Sequence, residues 1–537
     1  MLEDKLKNEL TQTQKQNNPV AVNNRHLQGT ADKICNVIVT VYFLIMTIFF
    51  PFYVKNGYHD IGKVKFLSFR DISITITLVI ILVAITCFLL QRKRLSITIF
   101  YKNLSVTDWF MYGYFISVLI SYIFTPYSKE ALWGAEGWYM GLISQLLFIS
   151  IYFMFSRYFT WNNKALYVIL LSSGLVFLLG ILNRYSIYPI DMNGQTPVFI
   201  STLGNINWFC GYWSVICPLG VVFYWNSKSI WQQAAAGIYV VIGFLIGVVQ
   251  GSSSVYLVLA GIFVFLFCLS FRENQTMYKF LQICILFALS CQLARLFRHM
   301  PGFRINYENE LGTVMTDSNV TLYIEVLFII LYILFQYLAE KKNYDISQRK
   351  RIRNISLVIM LSIIFIYIVL LVANTRLPNG VFGLSGVSFF TFDENWASHR
   401  GATWSVGIQA YLSMSPLYKL VGNGPDCFSE YIYSIPGLSE YVYSQFGSYR
   451  LTNAHNEWLT LLVNQGIIGL TFYVGIFVTA FIRFVKKAAD APSLYLCAAS
   501  ILLYTVHNMF SFQQVLNAPF VFIILGIGEG ICRTYSK

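Results

Sequence analysis

The sequence predicts an all-α polytopic membrane protein with about 14 transmembrane helices (12–14) and one large extracytoplasmic loop. Three observations carry this. The 537 residues are 56% hydrophobic and only 12% charged, where a soluble domain carries about 25% charge. Mean hydropathy is +0.58. Apolar stretches near 20 residues recur along almost the whole chain, each long enough to cross a hydrocarbon core of about 30 Å.

The elements follow in order. Residues 1–33 are polar, rich in Asn and Gln, and lack the apolar core of a signal peptide. They read as a disordered cytoplasmic tail. The remainder, 34–537, reads as a single multi-span domain. Its apolar segments fall at 34–54, 72–90, 105–125, 137–156, 165–183, 206–225, 230–249, 254–271, 279–297, 319–339, 355–374, 455–482, 492–509 and 515–531. Lys and Arg set the orientation, because cytoplasmic loops collect them. With the N-terminus inside, the inner segments hold most of the 38. The densest cluster is Lys341, Lys342, Arg349, Lys350, Arg351 and Arg353, and Arg92-Lys93-Arg94 and Lys486-Lys487 agree. The outer segment from Lys55 to Arg70 goes against the rule. Both termini are then cytoplasmic, and residues 375–453 form a large outer loop, too long for a simple connector. Smaller outer loops are 126–136, 184–205 and 298–318. No repeated halves of the transporter kind are evident.

Composition also excludes. The ten cysteines lie mostly within apolar spans with no CxxC spacing, so they read as small buried hydrophobes. Six scattered histidines form no HxxxH or HExxH pattern, so no metal site and no cofactor is expected. The net charge of +13 reflects topology and attraction to anionic lipid rather than nucleic-acid binding.

Four polar constellations gather on the predicted outer face. The first is Ala454-His455-Asn456-Glu457-Trp458-Leu459, where the large loop gives way to a span. Thr452 and Asn453 suit an N-cap, which would put His455 in a first helical turn. There the positive helix end favours a neutral ring able to accept a proton. The second is Ser398-His399-Arg400-Gly401-Ala402-Thr403-Trp404, whose guanidinium suits phosphate oxygens. The third is Gly204-Asn205-Ile206-Asn207, whose amides can donate and accept. The fourth is Gly422-Asn423-Gly424-Pro425. Taken singly, each has a plain structural reading: an interfacial histidine, an arginine paired with Asp393 or Glu394, a helix cap, a turn. Glu325 and His507 near outer helix ends are further ionisable groups of interest.

In this order the four constellations, with Gly466-Ile467-Ile468-Gly469-Leu470 downstream, resemble the O-antigen ligase and polymerase superfamily of bacterial membrane glycosyltransferases. The resemblance covers roughly 126–530. It implies a multi-pass protein of the bacterial cell membrane that takes a glycan from undecaprenyl diphosphate on the extracytoplasmic face. The glycan passes, with inversion and without metal, to a hydroxyl on a glycan, lipid or protein acceptor. His455 would be catalytic and Arg400 would bind the donor diphosphate. Asn205, Asn207, Trp404, Asn456 and Glu457 would contribute to substrate binding. Two departures stand out. Val255 occupies the place of a family arginine, so a second cation would come from Arg184, Arg304 or Arg376. Gln465 replaces a family glutamate. The competing expectation is a polytopic transporter or flippase of the same glycolipid.

Overall fold

Lipid offers the backbone no hydrogen-bond partner, so spanning segments close their bonds within helices. The computed structural model describes residues 19–91, 104–377, 380–384, 387 and 389–535. Among these, the chain forms twenty α-helices and one short antiparallel ribbon. The first half contains α1 (Pro19–Leu44), α2 (Ile61–Gln91), α3 (Val106–Phe124), α4 (Ser128–Trp133), α5 (Leu142–Tyr158), α6 (Asn163–Arg184), α7 (Ile206–Asn226), α8 (Ile230–Val249), α9 (Val255–Ser270) and α10 (Asn274–His299). The second half contains α11 (Glu310–Asp317), α12 (Val320–Lys341), α13 (Lys350–Arg376), α14 (Trp396–Ser413), α15 (Pro416–Val421), α16 (Phe428–Ser434), α17 (Leu438–Phe446), α18 (Glu457–Lys487), α19 (Leu494–His507) and α20 (Ala518–Thr534). The ribbon pairs β1 (Phe199–Ile200) with β2 (Gly204–Asn205) at the entry to α7.

Every expected apolar segment overlaps one of these helices, with shifted bounds. Ten described helices are long and apolar enough to cross a membrane, fewer than the expected fourteen. The shortfall has a physical reason. Helices α5, α9, α19 and α20 have 17, 16, 14 and 17 residues, each just short of the length a full crossing needs. None of the apolar window of α13 is buried. The polar stretch 1–33 is helical from Pro19 onward, and residues 1–18 and the Arg92-Lys93-Arg94 cluster lie outside the described residues.

The anomalous cations of 55–70 also resolve. Helix α2 starts at Ile61, earlier than the expected 72. Lys65 is therefore a helical side chain, fully buried, and it donates to the carbonyls of Phe50 (2.7 Å) and Pro51 (2.9 Å), just past the π-turn Ile45–Phe49 that follows α1. Arg70 pairs with Asp71.

The main core surrounds α7, whose Trp213 indole donates to the Gly243 carbonyl at 2.8 Å. Helix α18 packs on α3, α19 on α7, and α20 on α5. The stretch between α13 and α18 is not a loose loop. Helices α14 to α17 fold into a cap with its own apolar centre, including Val406, Ala410, Phe428, Ile432 and Val442.

The cap is fastened to the bundle by glycine. Gly466 interrupts α18 at φ 65° and ψ −175°, a conformation essentially restricted to glycine. The break frees the carbonyls of Val463 and Asn464. These accept the amides of Asn423 (3.2 Å) and Gly424 (2.9 Å). A Cβ on Gly422 would lie 2.2 Å from the Asn464 carbonyl oxygen, and one on Gly466 would lie 2.3 Å from that of Leu420. The two glycine motifs are the two halves of one contact.

Candidate functional site

A cavity of about 260 Å³ lies where the cap meets the bundle. Five separate segments build its wall. The ribbon and the start of α7 bring Asn207. The turn from α8 to α9 brings Gly251, Ser252 and Ser253. The stretch before α11 brings Tyr307 and Asn309. The cap brings Arg400, Thr403 and Phe446, and the approach to α18 brings His455.

His455 stands just before the helix, not in its first turn. The N-cap is Asn456, whose side chain accepts from the Leu459 amide at 3.0 Å. Asn453 makes a different turn, accepting the His455 amide at 2.9 Å, and His455 itself is left-handed at φ 49°. The Ala454 carbonyl on its other flank accepts the Thr403 hydroxyl at 2.9 Å. The imidazole meets the edge of Phe512, ring centres 5.3 Å apart. Burial, and secondly the nearby Arg400 charge, push its pKa down to about 4. The neutral ring was expected, but its cause is burial and a cation rather than a helix end.

Arg400 is set by an unusual backbone. Ala397, Ser398 and His399 are all left-handed, at about 1–2 kcal/mol each. Regular helix starts at Arg400. Gly401 follows necessarily, since a Cβ there would lie 1.7 Å from the Asp393 carbonyl oxygen. Arg400 is 7% exposed. Its Nε donates to the Phe510 carbonyl (3.0 Å) and Nη1 to that of Ala397 (2.8 Å). Among the described residues no carboxylate pairs with it, so neither Asp393 nor Glu394 is its counter-ion. Burial lowers its pKa to about 10, which leaves it charged at neutral pH.

Asn207 shows which donors the wall offers. Its Oδ1 accepts the Ser252 hydroxyl at 2.7 Å, so its amide NH2 is left for the cavity. Ser252 continues to Ser254 (2.9 Å) and then to Nδ1 of the buried His507 (3.2 Å). Among the described residues no carboxylate lines the cavity. A buried cation with spare donors and no acid is what an anion requires.

The remaining expected residues are placed differently. Asn205 caps α7, accepting the Asn207 amide at 2.9 Å. Asn456 is a cap as well. Trp404 packs on Trp396 and Phe510, ring centres 5.3 and 5.4 Å away, and so supports the segment whose carbonyl holds Arg400. Glu457 accepts the Gln513 amide at 2.5 Å and faces a smaller polar cavity shared with Asp426. Glu325 lies on α12, away from the cavity.

Of the three alternative cations, Arg304 and Arg376 are exposed and outside the cavity. Arg184 is fully buried one layer behind the wall. Tyr307 covers it, ring centre 5.4 Å from the guanidinium carbon, and its Nη1 donates to the Pro197 carbonyl and Asn306 and its Nη2 to the Gln250 carbonyl, leaving only the buried Nε without a partner. Sequence reading missed Ser252, Tyr307 and Asn309, which carry no motif. It also missed Asp426, whose carboxyl accepts the amides of Ala135 (2.8 Å) and Met140 (2.9 Å) and is pushed up to about 7 by burial.

Residues 311–474 match the protein family described as O-Antigen ligase. This region of the chain is similar to the O-antigen ligase family. The O-antigen ligase region contains Arg400, Trp404, the Gly422–Pro425 turn, His455 and the Gly466 break, while Asn205 and Asn207 precede it. It is narrower than the 126–530 over which the motifs run. A comparison with curated proteins finds no match. The family match and the ten long apolar helices together support a multi-pass membrane protein with an O-antigen ligase-like region.

Proposed function

We propose that the protein transfers a glycan from undecaprenyl diphosphate to an acceptor hydroxyl, with the cavity on the extracytoplasmic face and both termini cytoplasmic. The observation that carries this is the meeting of His455, Arg400 and Asn207, from three distant segments, on one cavity that no carboxylate lines among the described residues. The donor diphosphate lies against Arg400 and the amide of Asn207. The acceptor hydroxyl donates a hydrogen bond to neutral His455. As its oxygen attacks the anomeric carbon from the face opposite the diphosphate, the C–O bond to the diphosphate breaks and the hydroxyl proton passes to the imidazole. Inversion follows, and Arg400 balances the charge that builds on the leaving group without a metal at the reacting atoms.

Donor binding also prepares the base. A diphosphate beside Arg400 cancels the field that holds the imidazole down, so His455 becomes more basic when its substrate is in place. The distribution of Lys and Arg supports the outward orientation. Polymerase and ligase share this chemistry and differ in acceptor.

The test is transfer by the purified full chain from a lipid-diphosphate glycan, with insertion and folding checked alongside. His455→Ala folds and loses transfer. Arg400→Ala loses more donor use than Arg400→Lys. Undiminished transfer by His455→Ala removes the base from the mechanism.

A further inference from the structure

A second cavity opens at the opposite end of α7, about 30 Å along the helix axis from Asn207. It measures about 560 Å³ and lies between the α7–α8 turn, the start of α10 and the α18–α19 turn. Lys228, Arg272 and Lys279 line it, with Glu273 the one acid among them.

Lys279 is the unusual member. It is only 3% exposed, and its ammonium has no hydrogen-bond partner. The Tyr224 ring lies 4.7 Å from Nζ, which offers a weak attraction but no acceptor. Arg272 donates to the Tyr495 hydroxyl and stacks over that ring at 5.4 Å, a neutral contact that leaves its charge unbalanced. Among the described residues none of the three cations pairs with a carboxylate. A buried ammonium left this way is costly unless an anion reaches it.

The surroundings define that anion. The cavity sits at the ends of long apolar helices, and a bilayer spanned by such helices has its headgroups at their ends. Its Trp225 and Tyr495 rings are the aromatic kind found at that boundary. Elsewhere at helix termini this chain answers charge with its own acids, as where Arg483 meets Glu529 at 2.9 and 3.1 Å. Here the one lining acid, Glu273, pairs with none of the three cations among the described residues.

We propose that this cavity binds a phosphate group, with Lys279 beneath it and Arg272 and Lys228 at the rim, as carried by an anionic lipid headgroup. Basic pockets between helices bind lipid phosphates in this way. The site is separate from the transfer cavity, and its test reads binding alone.

The full chain is purified in neutral detergent and titrated with phosphatidylglycerol or with sodium phosphate, with bound ligand read by native mass spectrometry and by the melting midpoint. Saturable phosphatidylglycerol binding is expected, weakened about fivefold for each cation removed, in Lys279→Met and in Arg272→Gln, with Lys279→Arg close to wild type. Saturation by sodium phosphate at the same concentration would make the free ion the ligand of the same site. The Lys228→Gln/Arg272→Gln double variant alters only exposed side chains, so it carries the test if Lys279→Met fails to fold. Binding of neither ligand, or equal binding by wild type and the substituted proteins, overturns the proposal.

Discussion

Arg400→Gln should raise the pKa of His455 while leaving it below that of a free imidazole. The imidazole is held at about 4 against an ordinary 6.5, with burial the larger cause and the Arg400 charge the second. Arg400 therefore accounts for less than half of that depression, on the order of one unit or about 1.4 kcal/mol. That is the repulsion of two unit charges about 12 Å apart at an effective dielectric of about 20, a reasonable scale for two groups on one cavity wall. Gln keeps most of the side-chain volume and removes the charge, so the expected pKa is about 5; Arg400→Lys keeps the charge and stays at about 4. The assay is the rate of carbethoxylation of His455 by diethyl pyrocarbonate as a function of pH, read by peptide mass spectrometry, because only the neutral ring reacts. An unchanged midpoint in Arg400→Gln, or the same rise in Gln and Lys, would refute the electrostatic link on which donor-triggered basicity depends.

Gly466→Ala should lower stability by roughly 2–4 kcal/mol, combining a backbone conformation closed to alanine with contact against the Leu420 carbonyl; a melting midpoint equal to wild type would count against the clasp. Asp426→Ala should cost about 2–3 kcal/mol by leaving the Ala135 and Met140 amides without an acceptor, whereas Asp426→Asn retains one and should melt close to wild type at neutral pH. Because the folded pKa of His455 lies below the unfolded value, the unfolded chain binds more protons between about 4 and 6.5. This residue's share of stability is present above pH 6.5 and falls away as pH drops toward about 4, so His455→Gln should flatten that part of the stability profile. Transfer should continue after treatment with EDTA; loss restored by a divalent ion would contradict metal-free chemistry.

The helices were legible because lipid imposes a length and a composition on any segment that crosses it. The exceptions are instructive. The start of α2 was hidden by Lys63, Lys65 and Arg70, since nothing local announces that Lys65 will find the carbonyls of Phe50 and Pro51. The four helices of the cap were read as loop because their apolar residues face a small local core rather than lipid. At the site, His455 and Arg400 were visible through neighbouring residues, but the place of His455 relative to its helix was not. Thr452, Asn453 and Asn456 are all good caps, and tertiary contacts such as the Glu457 amide to the Asn508 carbonyl at 2.9 Å favour the last. Ser252, Tyr307 and Asn309 reach the cavity only through the fold, and no spacing in the sequence marks them.

The glycine clasp has a consequence for how such a sequence can change over time. Each Cβ that the clasp forbids would meet backbone of the other strand, so a substitution on one side finds no relief in a change on the other. An insertion is more damaging still. One added residue between His455 and Gly466 would rotate everything upstream by about 100° relative to the break and swing the imidazole off the cavity. The stretch between them therefore works as a ruler, whose length sets where the imidazole meets the cavity.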